Sequence, residues 1–164
     1  MKKTVAVVVL GDLGRSPRMS NHALSLANEG LDVKMIGYDG ASLNANIADN
    51  ANITVETLWP PPSYNCAFQR YINYLIKCIW QPITLLWCLL WRCNRSPDFV
   101  LLQNPPTIPA LPICYFYCKL RNYWKETELV LDWHNYGYSI MALSFREDQR
   151  NHPLVRLSSW VEGK

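Results

Sequence analysis

VAVVVLGDLGRSPRM, residues 5–19, decides the fold. Its first six residues are apolar and four of them are valine, the composition of a strand covered on both faces, so residues 4–10 are expected to form a central strand of a parallel sheet. The run stops at Gly11, turns through Gly14 and Pro17, and opens a helix over residues 18–28. In open α/β sheets ligands collect at the carboxyl ends of strands, which makes this turn the first place to look for a site. Gly11 and Gly14 let the backbone approach a ligand closely. Arg15, Ser16 and Arg18 add two fixed positive charges and a hydroxyl at a helix start, where free N–H groups and the macrodipole already favour an anion. The same turn also reads as a plain strand-to-helix connection with solvated arginines, since the dinucleotide fingerprint G-x-G-x-x-G is not matched.

Outward from this stretch the pattern repeats. Met19, Ala23, Leu26 and Ala27 share a helical face that Gly30 ends, and His22 on that face is expected to be a packed core residue. Residues 31–38 and 53–58 read as strands around a polar loop, which begins a βαβ unit. Pro60, Pro61 and Pro62 stiffen the exit from the third strand. Residues 71–91 form a strongly apolar stretch broken by Lys77, Gln81 and Pro82, marginal as a membrane span. A helix pair lying on the sheet with one face at a bilayer interface fits it, and so does an ordinary buried helix of the α/β layer. Trp80, Trp87 and Trp91 share a helical face from which Lys77 can snorkel.

A fourth strand over residues 98–102 runs into Gln103-Asn104-Pro105-Pro106, where two prolines lock the backbone and leave two side-chain amides free to hydrogen-bond. A helix over 108–123 and a fifth strand over 128–132 follow. The latter delivers Asp132-Trp133-His134-Asn135-Tyr136-Gly137-Tyr138-Ser139, more polar and aromatic side chains than a structural turn needs. Asn151 and Pro153 open a last helix carrying Leu154, Val155, Leu157 and Trp160. The whole reads as α/β, a Rossmann-like parallel sheet flanked by helices.

At 164 residues the chain fits one domain. Charge is uneven: residues 60–125 hold seven Lys/Arg against one Asp/Glu, together with 13 of the 20 aromatic residues. Basic charge interleaved with large rings suits a membrane interface or a nucleic-acid surface, and the absence of any nucleic-acid motif favours the membrane. The six cysteines lie mostly in apolar runs, without C-x-x-C or zinc spacing, and no secretory signal is read at the start. They are expected to be buried thiols in a reducing compartment, with no metal site.

The segments 11–19, 102–106 and 132–139, with Asn151-His152-Pro153-Leu154-Val155 continuing them, together resemble the N-terminal half of the chitobiosyldiphosphodolichol β-mannosyltransferase family. The resemblance covers residues 5–160. It implies the N-terminal domain of a GT-B glycosyltransferase, a membrane-associated enzyme of protein N-glycosylation on the cytosolic face of the endoplasmic reticulum. Mannose would pass from GDP-mannose, with no other cofactor, to GlcNAc2-diphosphodolichol in β-1,4 linkage. Residues 1–164 would then be a single acceptor-side domain, lacking the donor-binding domain and inactive alone. Inversion needs a base, Asp12 or His134, with Asp132 able to orient His134. Positive charge near the leaving diphosphate would come from Arg15 and Arg18. Gly11, Gly14, Ser16, Gln103, Asn104, Asn135 and Tyr136 would line the substrate cleft, and other glycosyltransferases of the pathway are conceivable partners. Two other readings stand beside this one. The first is a non-catalytic, membrane-associated binder of lipid-linked oligosaccharide or of a full-length transferase, and the second is a soluble nucleotide-binding α/β domain.

Overall fold

A computed structural model of the chain describes residues 2–62, 69–93, 96–104, 109–133 and 160. Among them Thr4–Asp12 (β1), Asp32–Tyr38 (β2), Ile53–Thr57 (β3), Phe99–Asn104 (β4) and Glu128–Trp133 (β5) form one sheet in the order β3-β2-β1-β4-β5. Every neighbouring pair is parallel. The helices Pro17–Asn28 (α1), Ala45–Ala48 (α2), Gln69–Trp87 (α3) and Ala110–Arg121 (α4) flank it, which makes the architecture Rossmann-like.

β1 is central because its side chains alternate between two cores. Val5, Val7 and Val9 pack with Met19, Ala23 and Ala27 of α1 and Ile47 of α2. Ala6, Val8 and Leu10 pack with Leu85 of α3, Leu89 beyond it, and Cys114 and Tyr117 of α4. Met19 and Leu85 are fully buried, each worth about 2 kcal/mol by area. Gly30, at φ +84°, stops α1 in the left-handed conformation that glycine adopts without strain.

The stretch expected to be a helix pair is one helix. α3 runs through Pro82 and passes into a π-helical turn over Cys88–Arg92, closed by Cys93 N–H on the Cys88 carbonyl at 3.2 Å. Proline removes one ladder bond. Near it the Thr84 hydroxyl donates to the Trp80 and Gln81 carbonyls at 2.9 and 3.2 Å. No helix among the described residues is long and apolar enough to cross a membrane. Burial pushes the thiols of Cys93 and Cys118 up to about 11 and that of Cys88 to about 12, so they behave as small apolar groups.

β4 and β5 extend further than their apolar runs. Gln103 pairs with Asp132 and Asn104 with Trp133, so these polar residues are strand, not loop. The helix expected over 151–160 lies outside the described residues, apart from exposed Trp160.

At the amino edge of the sheet, polar groups close on one another. The Asp98 carboxylate accepts the Thr4 N–H at 2.7 Å and pairs with Lys125 at 2.8 Å. The buried Thr127 hydroxyl donates to the Pro97 carbonyl at 3.0 Å, and its N–H donates to Asn122 Oδ1 at 2.7 Å. Lys2 reaches both Asp32 and Asn52, at 2.8 and 2.7 Å.

Candidate functional site

Because the sheet is parallel, the carboxyl ends of β1, β4 and β5 lie on one edge, and between β1 and β4 the strand order reverses. Of the polar residues singled out in the sequence, Asp12, Arg15, Ser16, Arg18, Gln103 and Asp132 lie there. Asp12 caps the 3₁₀ turn Leu13–Arg15 through its bond from Gly14 N–H at 2.9 Å. Its two oxygens also accept the Ala41 N–H at 3.0 and 2.9 Å, and Arg15 Nε stands 3.3 Å from Oδ2. One carboxylate thus ties the loop after β1 to the loop after β2.

Three glycines let those loops touch. A Cβ on Gly14 would strike the Ala41 backbone, and one on Gly40 would strike the Asp12 carboxylate. On Gly37 it would press into Leu13 at 2.7 Å. Gly14 therefore serves loop packing, whereas the sequence suggested ligand approach. Gly11 differs, since only Val9 Cγ1, at 3.8 Å, lies near its missing Cβ. With Asp12, Arg15, Ser16 and Gln103 it lines a recess of about 230 Å³ at the strand-order reversal. The Arg15 side chain is 82% exposed beside that recess.

Ser16 lines the recess and is tied within it, while Asn104 is buried away from it. The Ser16 hydroxyl donates to Gln103 Oε1 at 2.7 Å, binding the start of α1 to the end of β4 rather than waiting for an anion. Asn104 is 1% exposed and shares its parity with Leu102 and Val100, so it belongs to the α4 side of the sheet and not to an open cleft. Gln103, one residue earlier, has the opposite parity and does reach the recess.

A second group lies between α1 and β5. Arg18 Nε stands 2.9 Å from Asp132 Oδ2, and His22 Nε2 stands 3.5 Å from the same oxygen. Among the described residues, Arg18 and His22 are the ion-pair partners found for Asp132. His134, Asn135 and Tyr136 lie outside the described residues. His22 corrects the expectation of a core residue. Its side chain is 44% exposed and meets the Asp132 carboxylate of β5 at 3.5 Å instead of packing in the core.

No family model matches the chain. Over 158 residues, 96% of the chain, it is 41% identical to the chitobiosyldiphosphodolichol β-mannosyltransferases of Homo sapiens and of Pongo abelii. Over 162 residues it is 40% identical to the protein of that name in Yarrowia lipolytica. By sequence the chain is a relative of these β-mannosyltransferases. It spans about a third of their length. It is also 38% identical, over 95% of its length, to the Arabidopsis thaliana protein named UDP-glycosyltransferase TURAN. Among solved structures, the C-terminal domain of a Pyrococcus furiosus hydrogenase matches with a TM-score of 0.53 at 13% identity, covering 80% of this chain and 92% of its own. That likeness concerns the fold alone.

In this relative of the β-mannosyltransferases, sequence reasoning assigned His22 to the core and passed over the residues Gly37, Gly40 and Ala41. Tyr38-Asp39-Gly40 follows an apolar strand just as Gly11-Asp12 does, and the same carboxyl-end rule would have marked it.

Proposed function

We propose that the chain forms the acceptor-side domain of a GT-B β-mannosyltransferase acting on GlcNAc2-diphosphodolichol in N-glycan precursor assembly. The observation that supports this most strongly is the 37–41% identity to proteins so named, sustained over at least 96% of the chain. Gathering Gly11, Arg15, Gln103 and Asp132 on one sheet edge is what an acceptor cleft needs. Residues holding GDP-mannose would lie in the remaining two thirds that the relatives possess.

In such a transfer a base takes the acceptor hydroxyl proton while positive charge balances the departing diphosphate. Arg15, largely exposed, is the better placed cation, since Arg18 already neutralises Asp132. Asp12 is already engaged here. Its lone pairs accept two backbone N–H groups and face Arg15, so protonating it would break the loop clamp. That leaves His134 as the favoured base.

The membrane face belongs to the α3 and α4 side. Ile79, Ile83, Trp87 and Trp91 project outward at helical spacing, with Trp87 and Trp91 stacked at 4.6 Å between ring centroids. Tyr115, Phe116, Tyr123 and Trp124 are exposed on and beyond α4, and Lys77, Arg92 and Lys119 are exposed nearby. Exposed rings with cations among them suit the interface of the endoplasmic reticulum on its cytosolic side, where other pathway transferases would be neighbours. A non-catalytic binder of the same lipid-linked sugar would use the same surfaces.

The test is a chimaera in which this chain replaces the corresponding segment of the human relative. Transfer of radiolabelled mannose from GDP-mannose to a chitobiosyl-diphosphate lipid is expected from the chimaera and not from the 164-residue chain alone. UDP-sugars serve as the competing donors that the Arabidopsis relative's name suggests. A folded chimaera that transfers no mannose would remove the enzymatic reading and leave the binder.

A further inference from the structure

A second recess lies elsewhere on the carboxyl edge, over the ends of β2 and β3 and under α3. It encloses about 640 Å³ and is lined by Leu10, Leu58, Pro60 and Pro61 below, with Tyr38, Asp39, Thr57, Trp59, Lys77 and Gln81 around them. Leu10 also lines the recess at Gly11, so the two are neighbours. Its walls are fixed. Leu58 N–H donates to the Gly37 carbonyl at 2.7 Å, holding the exit of β3 against β2. The Trp80 indole N–H donates to the Trp59 carbonyl at 3.1 Å, holding that exit to α3. Burial raises the pKa of the Tyr38 phenol, so it stays a neutral wall group.

The chemistry of this lining is specific. An indole 55% exposed at the mouth of an apolar recess offers a flat π-surface. A pyranose ring has one face of C–H groups that such a surface covers and a rim of hydroxyls that it does not. Asp39 and Gln81 supply acceptors and donors for the rim. Lys77 puts a point charge on the helix side, suited to phosphate. The acidic and amide groups favour an occupant with polar groups over a purely lipidic one, and the volume lies in the range of small-molecule sites.

We propose that this recess binds the diphosphate-linked N-acetylglucosamine disaccharide of the acceptor, with Trp59 against a sugar ring and Lys77 on the diphosphate. The proposal rests on the acceptor-side reading above and adds where the sugar lies. It makes the β2–β3 half of the edge, and not only the strand-order reversal, part of the cleft.

The probe is soluble chitobiosyl diphosphate, titrated into the ¹⁵N-labelled chain, with the Trp59 indole N–H resonance assigned by its loss in Trp59→Phe. Chitobiose and inorganic diphosphate are the separate arms. The expected result is a shifted Trp59 resonance, an affinity at least tenfold weaker in Trp59→Ala, and near-native affinity in Trp59→Phe. Lys77→Gln should weaken chitobiosyl diphosphate about tenfold and leave chitobiose unchanged. Both residues are solvent-facing, and unchanged amide spectra of the free variants would show them folded. Binding that survives Trp59→Ala and Lys77→Gln overturns this site alone. Inorganic diphosphate bound as tightly as the glycosylated form overturns the sugar assignment. No binding of chitobiosyl diphosphate by the wild-type chain at 10 mM overturns the site together with the acceptor-side reading.

Discussion

The two edges of the sheet use polar residues in opposite ways. At the amino edge Asp98, Thr127 and Lys2 meet partners on neighbouring segments, and each bond joins two pieces of chain. At the carboxyl edge Asp12 and Ser16 do the same, but they hold in place a set that is left open: the Arg15 guanidinium, the bare Gly11 and two recesses. The amino edge chiefly fastens the sheet, although a recess of about 390 Å³ opens beside Thr4, Asp32 and Asn52. The carboxyl edge fastens only enough of itself to keep a surface available. Substitutions should therefore cost stability at the first edge and ligand binding at the second.

The largest effect is expected where fastening and opening coincide. Gly14→Ala would drive a methyl into the Ala41 backbone, which cannot give way without parting the two loops that Asp12 ties, so a loss of about 3 kcal/mol is expected in urea unfolding along with loss of ligand binding. Asp98→Ala removes the partner of the Thr4 N–H and of Lys125 and should cost about 2 kcal/mol while leaving chitobiosyl-diphosphate affinity unchanged. If affinity falls with it, the edges are not independent.

The Asp98 fastener also has a pH signature. Burial alone would raise its pKa, but the Lys125 hydrogen bond, the Thr4 N–H and the lysine charges outweigh burial and hold it below the ordinary 3.8. A depressed folded pKa means stability that is fully present above the unfolded value and lost as pH falls through the folded one. Acid unfolding of the native chain below about pH 4 should therefore show a component that Asp98→Asn abolishes. Thr127→Ala should cost about 1 kcal/mol by losing the hydroxyl bond to Pro97, again without altering binding. Smallest in stability is Arg15→Ala, under about 0.5 kcal/mol in the same urea unfolding for so exposed a side chain.

The sheet was readable in the sequence because burial on both faces leaves a mark: Val5 to Leu10 has no polar residue to hide. Where the rule is local the sequence misleads. Gln103 and Asn104 look like loop, yet they lie within a parallel pair with Asp132 and Trp133, a pairing that only the fold supplies. Pro82 looks like a helix break, but α3 continues through it and the irregularity appears six residues later as a π turn. His22 looks like core because periodicity within α1 does not record that Asp132 of β5 faces it. The recess at Trp59 and Lys77 needs β2, β3 and α3 to meet, and no spacing within one segment announces that.

The most direct measurement is a backbone amide map of the ¹⁵N-labelled chain with chitobiosyl diphosphate. The expected result is that resonances of Gly11 to Ser16, Tyr38, Asp39, Trp59 and Gln103 move while those of Thr4, Asp98 and Thr127 stay still. Shifts centred on the amino edge, or spread evenly over both edges, would contradict the claim that the carboxyl edge is the binding surface.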